Sequence, residues 1–201
     1  LIKKLVLDEI KIPMSRPSID YETQNSMFDV IKSGWLSQGK KTRKFENNLS
    51  EYLSSKVVVV NSGTSALTAA LSAHGIKLGD KVVVPSFTFI ATSSAAKILG
   101  ANILVADVDA ETLNISPDSI EKIVKEHNDV KAVIIVDIAG QPVDLEPIIE
   151  LSKRYNFILI EDAAQAIGSE YKNKKIGSFK HTSCFSFTIA KIMTTIEGGC
   201  I

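Results

Sequence analysis

The chain has 201 residues, of which 45% are apolar and 23% charged, and its formal net charge is zero. That is enough for one sizeable globular domain or most of a larger one, and it gives no electrostatic reason to expect nucleic acid or an anionic membrane as partner. Cys184 and Cys200 form no CxxC pair or His/Cys cluster, and no apolar run reaches membrane-helix length, so reduced thiols in a cytosolic protein are expected rather than a disulfide framework or a zinc site.

The opening LIKKLVLDEIKIP carries Asp8 and Glu9 inside its short apolar run and does not read as a signal peptide. Residues 1–19 are expected to be an N-terminal segment, and 20–201 one domain. From Asp20 the period is helical, with Met27, Phe28 and Ile31 on one apolar face, ending at Gly34. GWLSQGKK (34–41) is a loop, in which Trp35 is either a stacking surface for a sugar or base or a core residue. A second helix is predicted over 40–54, with Phe45, Leu49 and Tyr52 inward.

The period then changes. KVVVV (56–60) is a β-branched run typical of a strand buried on both faces, and NSGTSALTAALSAHG turns straight into a helix. The pattern repeats with a strand at 81–85 and a helix in FTFIATSSAAKILG, and then a strand at 101–109. Ser116-Pro117 opens a helix with a capping residue and a first-turn proline. A strand at 131–140, a helix from Asp144 to Tyr155, and strands at 156–164 and 182–188 complete the order. Alternating buried strands and amphipathic helices predict an α/β fold, a mostly parallel sheet with helices on both faces in three αβα layers.

In open parallel sheets ligands bind beyond the carboxyl ends of the strands, so the residues at those ends are the first candidates for a site. Four strand ends offer Ser62-Gly63-Thr64, the aromatics of PSFTF, Asp162 and the region of Lys191. Ser62-Gly63-Thr64 could be an ordinary helix cap or an anion site suited to phosphate. No GxGxxG or GxxxxGK[ST] is present, so neither a dinucleotide nor a nucleoside triphosphate is indicated. Asp162, after the apolar FILIE, could cap the next turn or act as counter-ion to a protonated ring nitrogen. Lys191 could be a solvated charge, but in TIAKIMTTI it is also placed to act as an amine nucleophile toward a carbonyl. Phosphate turn, aromatic plate, carboxylate and amine together are what pyridoxal 5′-phosphate (PLP) requires.

The stretches NSGTSAL (61–67), GDKVVVPSFTFIATSSA (79–95), DVDAETLNISPDSIE (107–121), AGQPVDLEPI (139–148), IEDAAQAIGSEYKNKKIGSF (160–179) and CFSFTIAKIMTTIEGG (184–199) resemble the DegT/DnrJ/EryC1/StrS sugar aminotransferases, which are fold-type-I PLP enzymes. The resemblance runs from about residue 12 to the end. It implies that Lys191 is the Schiff-base lysine, Asp162 the partner of the pyridine nitrogen and Gln165 the neighbour of the phenolic oxygen. It also implies that Ser62, Gly63, Thr64 and Ser186 hold the phosphate and that Phe89 stacks on the ring. The implied reaction moves an amino group from glutamate or glutamine to a nucleotide-linked keto-sugar, in a cytoplasmic homodimer with a shared site. A dehydratase branch has histidine at the lysine position, and Lys191 argues against it.

The chain departs from the family pattern at Asp137 and Ile167, where histidine is frequent, and at Ile196, where glycine is usual. Ile189 and Ala190 make the lysine loop more apolar. Family members are close to twice this length and carry a small C-terminal domain. The sheet is therefore expected to be incomplete near Ile201, with an open edge that favours pairing with another chain. The alternative to an enzyme is a non-catalytic homologue that keeps the fold as a binding or regulatory module.

Overall fold

The computed structural model describes residues 15–201. The opening stretch, which does not read as a signal peptide, and most of the 1–19 segment lie outside the described residues. In chain order the elements are α1 (Tyr21–Ser33), α2 (Lys40–Leu53), β1 (Val59–Val60), α3 (Gly63–Ala73), β2 (Lys81–Pro85), α4 (Ala91–Ile98), β3 (Asn102–Ala106) and α5 (Pro117–Glu126). They continue with β4 (Val130–Val136), a 3-10 turn at Ile138–Gly140, α6 (Leu145–Tyr155), β5 (Ile158–Asp162), the short hairpin β6 (Glu170–Tyr171) and β7 (Lys174–Lys175), β8 (Thr182–Ser186) and β9 (Gly199–Cys200).

The main sheet has seven strands in the order β1-β9-β8-β5-β4-β2-β3. The five strands from β8 to β3 are parallel to their neighbours, and β9 is antiparallel to both β1 and β8. Side chains alternate faces with period two. Val83, Val133, Ile135, Leu159 and Phe185 join a core under α2, α5 and α6, while Val82, Val84, Ala132, Ile134, Ile160 and Cys184 join a second core under α3 and α4. Helices therefore cover both faces, in the predicted three layers. Each fully buried Val, Leu, Ile or Phe contributes about 1.5–3 kcal/mol.

Three expectations are corrected. The strand predicted over 56–60 is only Val59–Val60, and Val58 is exposed, because β1 is an edge strand with one neighbour. The open edge expected near Ile201 is absent. Gly199–Cys200 fills the place between β1 and β8, and Ile201 and Val58 exchange backbone hydrogen bonds at 2.9 Å in both directions. The inward helical faces are also only partly found. On α2, Leu49 is buried and Phe45 packs on the core, but Tyr52 is exposed, its ring lying under the Lys175 ammonium at 3.9 Å.

Helix α1 starts on Asp20, whose carboxylate accepts the Thr23 N–H at 2.7 Å, and stops at Gly34 in the left-handed conformation. No residue of α1 is buried, and Met27, Phe28 and Ile31 all face outward. Trp35 is 65% exposed, not a core residue, and its indole N–H donates to the Gln38 carbonyl. Cys184 and Cys200 are buried free thiols, and burial pushes Cys200 up to about 12. Among the described residues no helix is long and apolar enough to cross a membrane, and no group of His, Cys, Asp and Glu could hold a metal.

Candidate active site

One cavity of about 390 Å³ opens at the carboxyl ends of the central strands. Ser62, Gly63 and Thr64 line it after β1, Phe89 after β2, Asp162 and Gln165 at the end of β5, and Ser186 and Lys191 at and after β8. The structure thus brings every sequence-predicted site residue to one wall or another of a single space. Thr88, Thr188 and Glu197 line it too and were not singled out from the sequence.

The turn after β1 is built by steric necessity. Ser62 caps α3 by accepting the Ser65 N–H at 3.1 Å, and Ser62 O accepts the Ala66 N–H. The N–H groups of Gly63 and Thr64 have no protein acceptor among the described residues, and both residues line the cavity. A Cβ on Gly63 would stand 2.8 Å from Ser186 Cβ, so only glycine lets the turn meet the end of β8 this closely. Two unsatisfied N–H groups at a helix start beside the Ser186 and Thr64 hydroxyls form a cradle that fits a phosphate.

Asp162 is nearly fully buried. Burial raises its carboxyl above the ordinary range; the Thr92 hydroxyl, the Ala164 N–H and the Lys191 charge each oppose that. A buried carboxyl that lines a cavity and is driven toward neutrality is a group that a cationic ligand atom would satisfy. Gln165 is fixed from behind, its Oε1 accepting the Ala139 N–H at 2.7 Å. Ala139 is itself left-handed, at φ 53°, and the buried Asn114 pins the same loop. Asn114 donates to Gln141 O and Pro142 O and accepts the Ile138 N–H. Neither Thr92 nor Asn114 was flagged by the sequence: Thr92 is one of three hydroxyl residues in ATSSAA, and Asn114 is one polar residue among many in DAETLNISPD.

Period two sends Glu161 to the face opposite Asp162. There Glu161 is fully buried, accepting from Ser183 Oγ at 2.6 Å, with His181 Nε2 at 3.2 Å. Asp137, the first departure from the family pattern, lies in the same region. Its Oδ1 accepts the Val143 N–H, while Asp137 Oδ2 and Glu161 Oε1 are buried without a donor. Burial, reinforced by the Glu161 charge, pushes the Asp137 carboxyl up to about 8. In the unfolded chain it titrates near 3.8. Between those values the unfolded chain has lost a proton that the folded chain retains, so stability falls as pH rises from about 4 to about 8. Asp137→Asn keeps the acceptor for Val143 and removes the charge. It is expected to be more stable than the parent at pH 8 by on the order of 2 kcal/mol, with the gap closing toward pH 4. Urea unfolding midpoints at several pH values check this.

The lysine loop is held by Thr194 and Thr195 against Phe187 O and by the Thr188 hydroxyl, which donates to Glu197 Oε1 at 3.1 Å. Ser15 Oγ donates to Ile189 O, tying the N-terminal segment to it. Ile196 has φ 72°, a left-handed backbone that costs a β-branched residue about 1–2 kcal/mol. Ile196→Gly relieves that strain, partly offset by the greater unfolded-state entropy of glycine, and is expected to stabilise the chain by about 1 kcal/mol in thermal unfolding. Ile167, the other departure, packs against the core.

Comparisons with known proteins identify the family and the fold. The DegT/DnrJ/EryC1/StrS aminotransferase family model matches residues 17–201. GDP-perosamine synthase of Escherichia coli O157:H7 is 41% identical over 192 residues, covering 94% of this chain and 52% of the relative. Its namesake from Caulobacter vibrioides is 36% identical, covering 95% and 52%. Spr1654 of Streptococcus pneumoniae, solved in a PLP-form, superposes with a TM-score of 0.88 at 32% identity, covering 94% of this chain and 52% of that one. An aminotransferase from Psychrobacter cryohalolentis gives a TM-score of 0.88 at 37% identity, covering 94% and 48%. The chain spans about half the length of the curated relatives it matches. With its family model matched over nearly the whole chain, and its fold shared with solved aminotransferases, the chain belongs to the DegT/DnrJ/EryC1/StrS aminotransferase family.

Proposed function

We propose that the chain holds PLP and takes part in moving an amino group from glutamate or glutamine to a keto-sugar carried on a nucleoside diphosphate. The observation that carries this reading is the convergence of Lys191, Asp162, the Gly63 cradle and Phe89 on one cavity. When bound, PLP supplies an electron sink that no side chain provides. The chain's own residues do the rest. The free N–H groups of Gly63 and Thr64, with Ser186, would bind the phosphate. Phe89, 72% exposed on the cavity wall, offers a face for the ring. Asp162 would keep the ring nitrogen protonated, and Gln165, held by Ala139, would face the phenolic oxygen. Lys191 is the amine that would carry the cofactor and then move a proton at the substrate carbon. The 41% identity to a GDP-perosamine synthase supports a nucleotide-linked sugar as acceptor. A homodimer that completes the site, in the cytoplasm, belongs to the same proposal.

The test has two stages. PLP is titrated into the chain and absorbance followed; glutamate and, separately, glutamine are then added and release of the matching 2-oxo acid measured. A lysine-bound PLP band and then 2-oxo acid release from either donor support the enzyme reading. A band without release supports the non-catalytic module, the reading that the strained Ile196 beside the lysine favours. No band at all overturns the cofactor reading.

A further inference from the structure

Thr92 is fully buried in the first turn of α4, a helix with no side-chain cap. A threonine within a helix ordinarily bonds locally, to a carbonyl of the preceding turn. This one instead donates across the fold to Asp162 Oδ2 at 2.7 Å. Thr88 Oγ1, on the cavity wall, lies 2.7 Å from Thr92 Oγ1. An ionised Asp162 only accepts, so the Thr92 proton must point to it, and the Thr92 oxygen is then left to receive the Thr88 proton. The hydroxyls therefore form a directed chain, Thr88 to Thr92 to Asp162, and hydrogen bonds in such chains strengthen one another. Asp162 Oδ1 receives only the Ala164 N–H, at 3.3 Å.

We propose that Thr92 is a positioning residue of the site. Its hydroxyl, aligned by Thr88, locks the Asp162 carboxylate so that its other oxygen is presented to a protonated ring nitrogen. This rests on the cofactor reading. Among the influences that keep Asp162 charged against its burial, the Thr92 hydrogen bond is the largest. A threonine whose hydroxyl was merely satisfied by Asp162 would leave PLP affinity indifferent to its loss.

The experiment compares the parent with Thr92→Val, Thr92→Ser and Thr88→Val. Asp162 is titrated by carboxyl ¹³C NMR without PLP, and PLP affinity is measured by equilibrium dialysis. Thr92→Val is expected to move the Asp162 midpoint to higher pH and weaken PLP binding about tenfold, the size of one charge-assisted hydrogen bond. Thr92→Ser restores both, and Thr88→Val gives a smaller change in the same direction. An unchanged Asp162 titration and PLP affinity in a folded Thr92→Val overturns the proposal. If Thr92→Val does not fold, an unmoved Asp162 midpoint in Thr88→Val overturns it. A parent that binds no PLP overturns the cofactor reading and this proposal together; PLP binding indifferent to Thr92 overturns this proposal alone.

Discussion

Lys191→Ala is expected to abolish the absorbance band of lysine-bound PLP and to lower any turnover by about 10⁴-fold or more, while the fold stays intact. The first part rests on chemistry, since among the described residues that line the cavity Lys191 is the only amine. A proton-transfer group alone contributes about 10²–10⁴-fold, and this residue would also be the point of attachment. The second part rests on packing. Lys191 is partly exposed, and its ammonium makes no hydrogen bond or ion pair to the described residues, so its truncation should change stability by no more than about 0.5 kcal/mol. Absorbance with PLP and urea unfolding of the same preparation check both parts. A retained band in Lys191→Ala would remove the lysine from its assigned role.

Gly199→Ala is expected to destabilise the chain by about 3 kcal/mol or more and to weaken PLP binding with it. A Cβ at Gly199 would lie 2.6 Å from the carbonyl carbon and oxygen of Ser62 and 2.7 Å from Phe185 O. All three are backbone atoms, so no side-chain rotation relieves the clash, and overpacking of this kind costs about 1–3 kcal/mol even where neighbours can yield. Gly199 pairs with Val60 on one side and Ser186 on the other. Pushing them apart moves Ser62 and Ser186, both on the cavity wall, at the same time. A denaturation midpoint equal to the parent's would show that the strand positions are looser than this geometry allows.

The cavity residues were legible because they stand where the sequence period changes, and in a parallel sheet those places share one edge. Ser62-Gly63-Thr64, Asp162 and Lys191 each interrupt an apolar pattern, and the structure gathers them. Thr92 was not legible, because nothing local ties it to Asp162; only the packing of α4 beside α3 and over β2 and β3 brings it to the end of β5. Strand β9 is two residues, Gly199–Cys200, with too little length or β-propensity to register as a strand. For α1 the period rightly gave a helix with an apolar side, but periodicity is silent on what covers that side, and here it is exposed. The confrontation of Asp137 with Glu161 depends on the register between β4 and β5, which pairs Ile135 with Glu161 and Val136 with Asp162 and is encoded in no single stretch.

The placement of β9 has a consequence for the order in which the molecule assembles. Val59 and Val60 find their partners only at Cys200 and Gly199. Closing so long a loop is slow and entropically costly, whereas β2, β3, β4 and β5 can zip together from nearer neighbours with the helices between them. During vectorial synthesis the turn at Ser62–Thr64 would therefore wait, with its flanking strand unpaired, until Gly199–Cys200 has emerged and docked. Amide-exchange pulses during refolding would find β4 and β5 protected first and Val59 to Val60 last. Cofactor capture would then be a late event, reporting completion of the sheet.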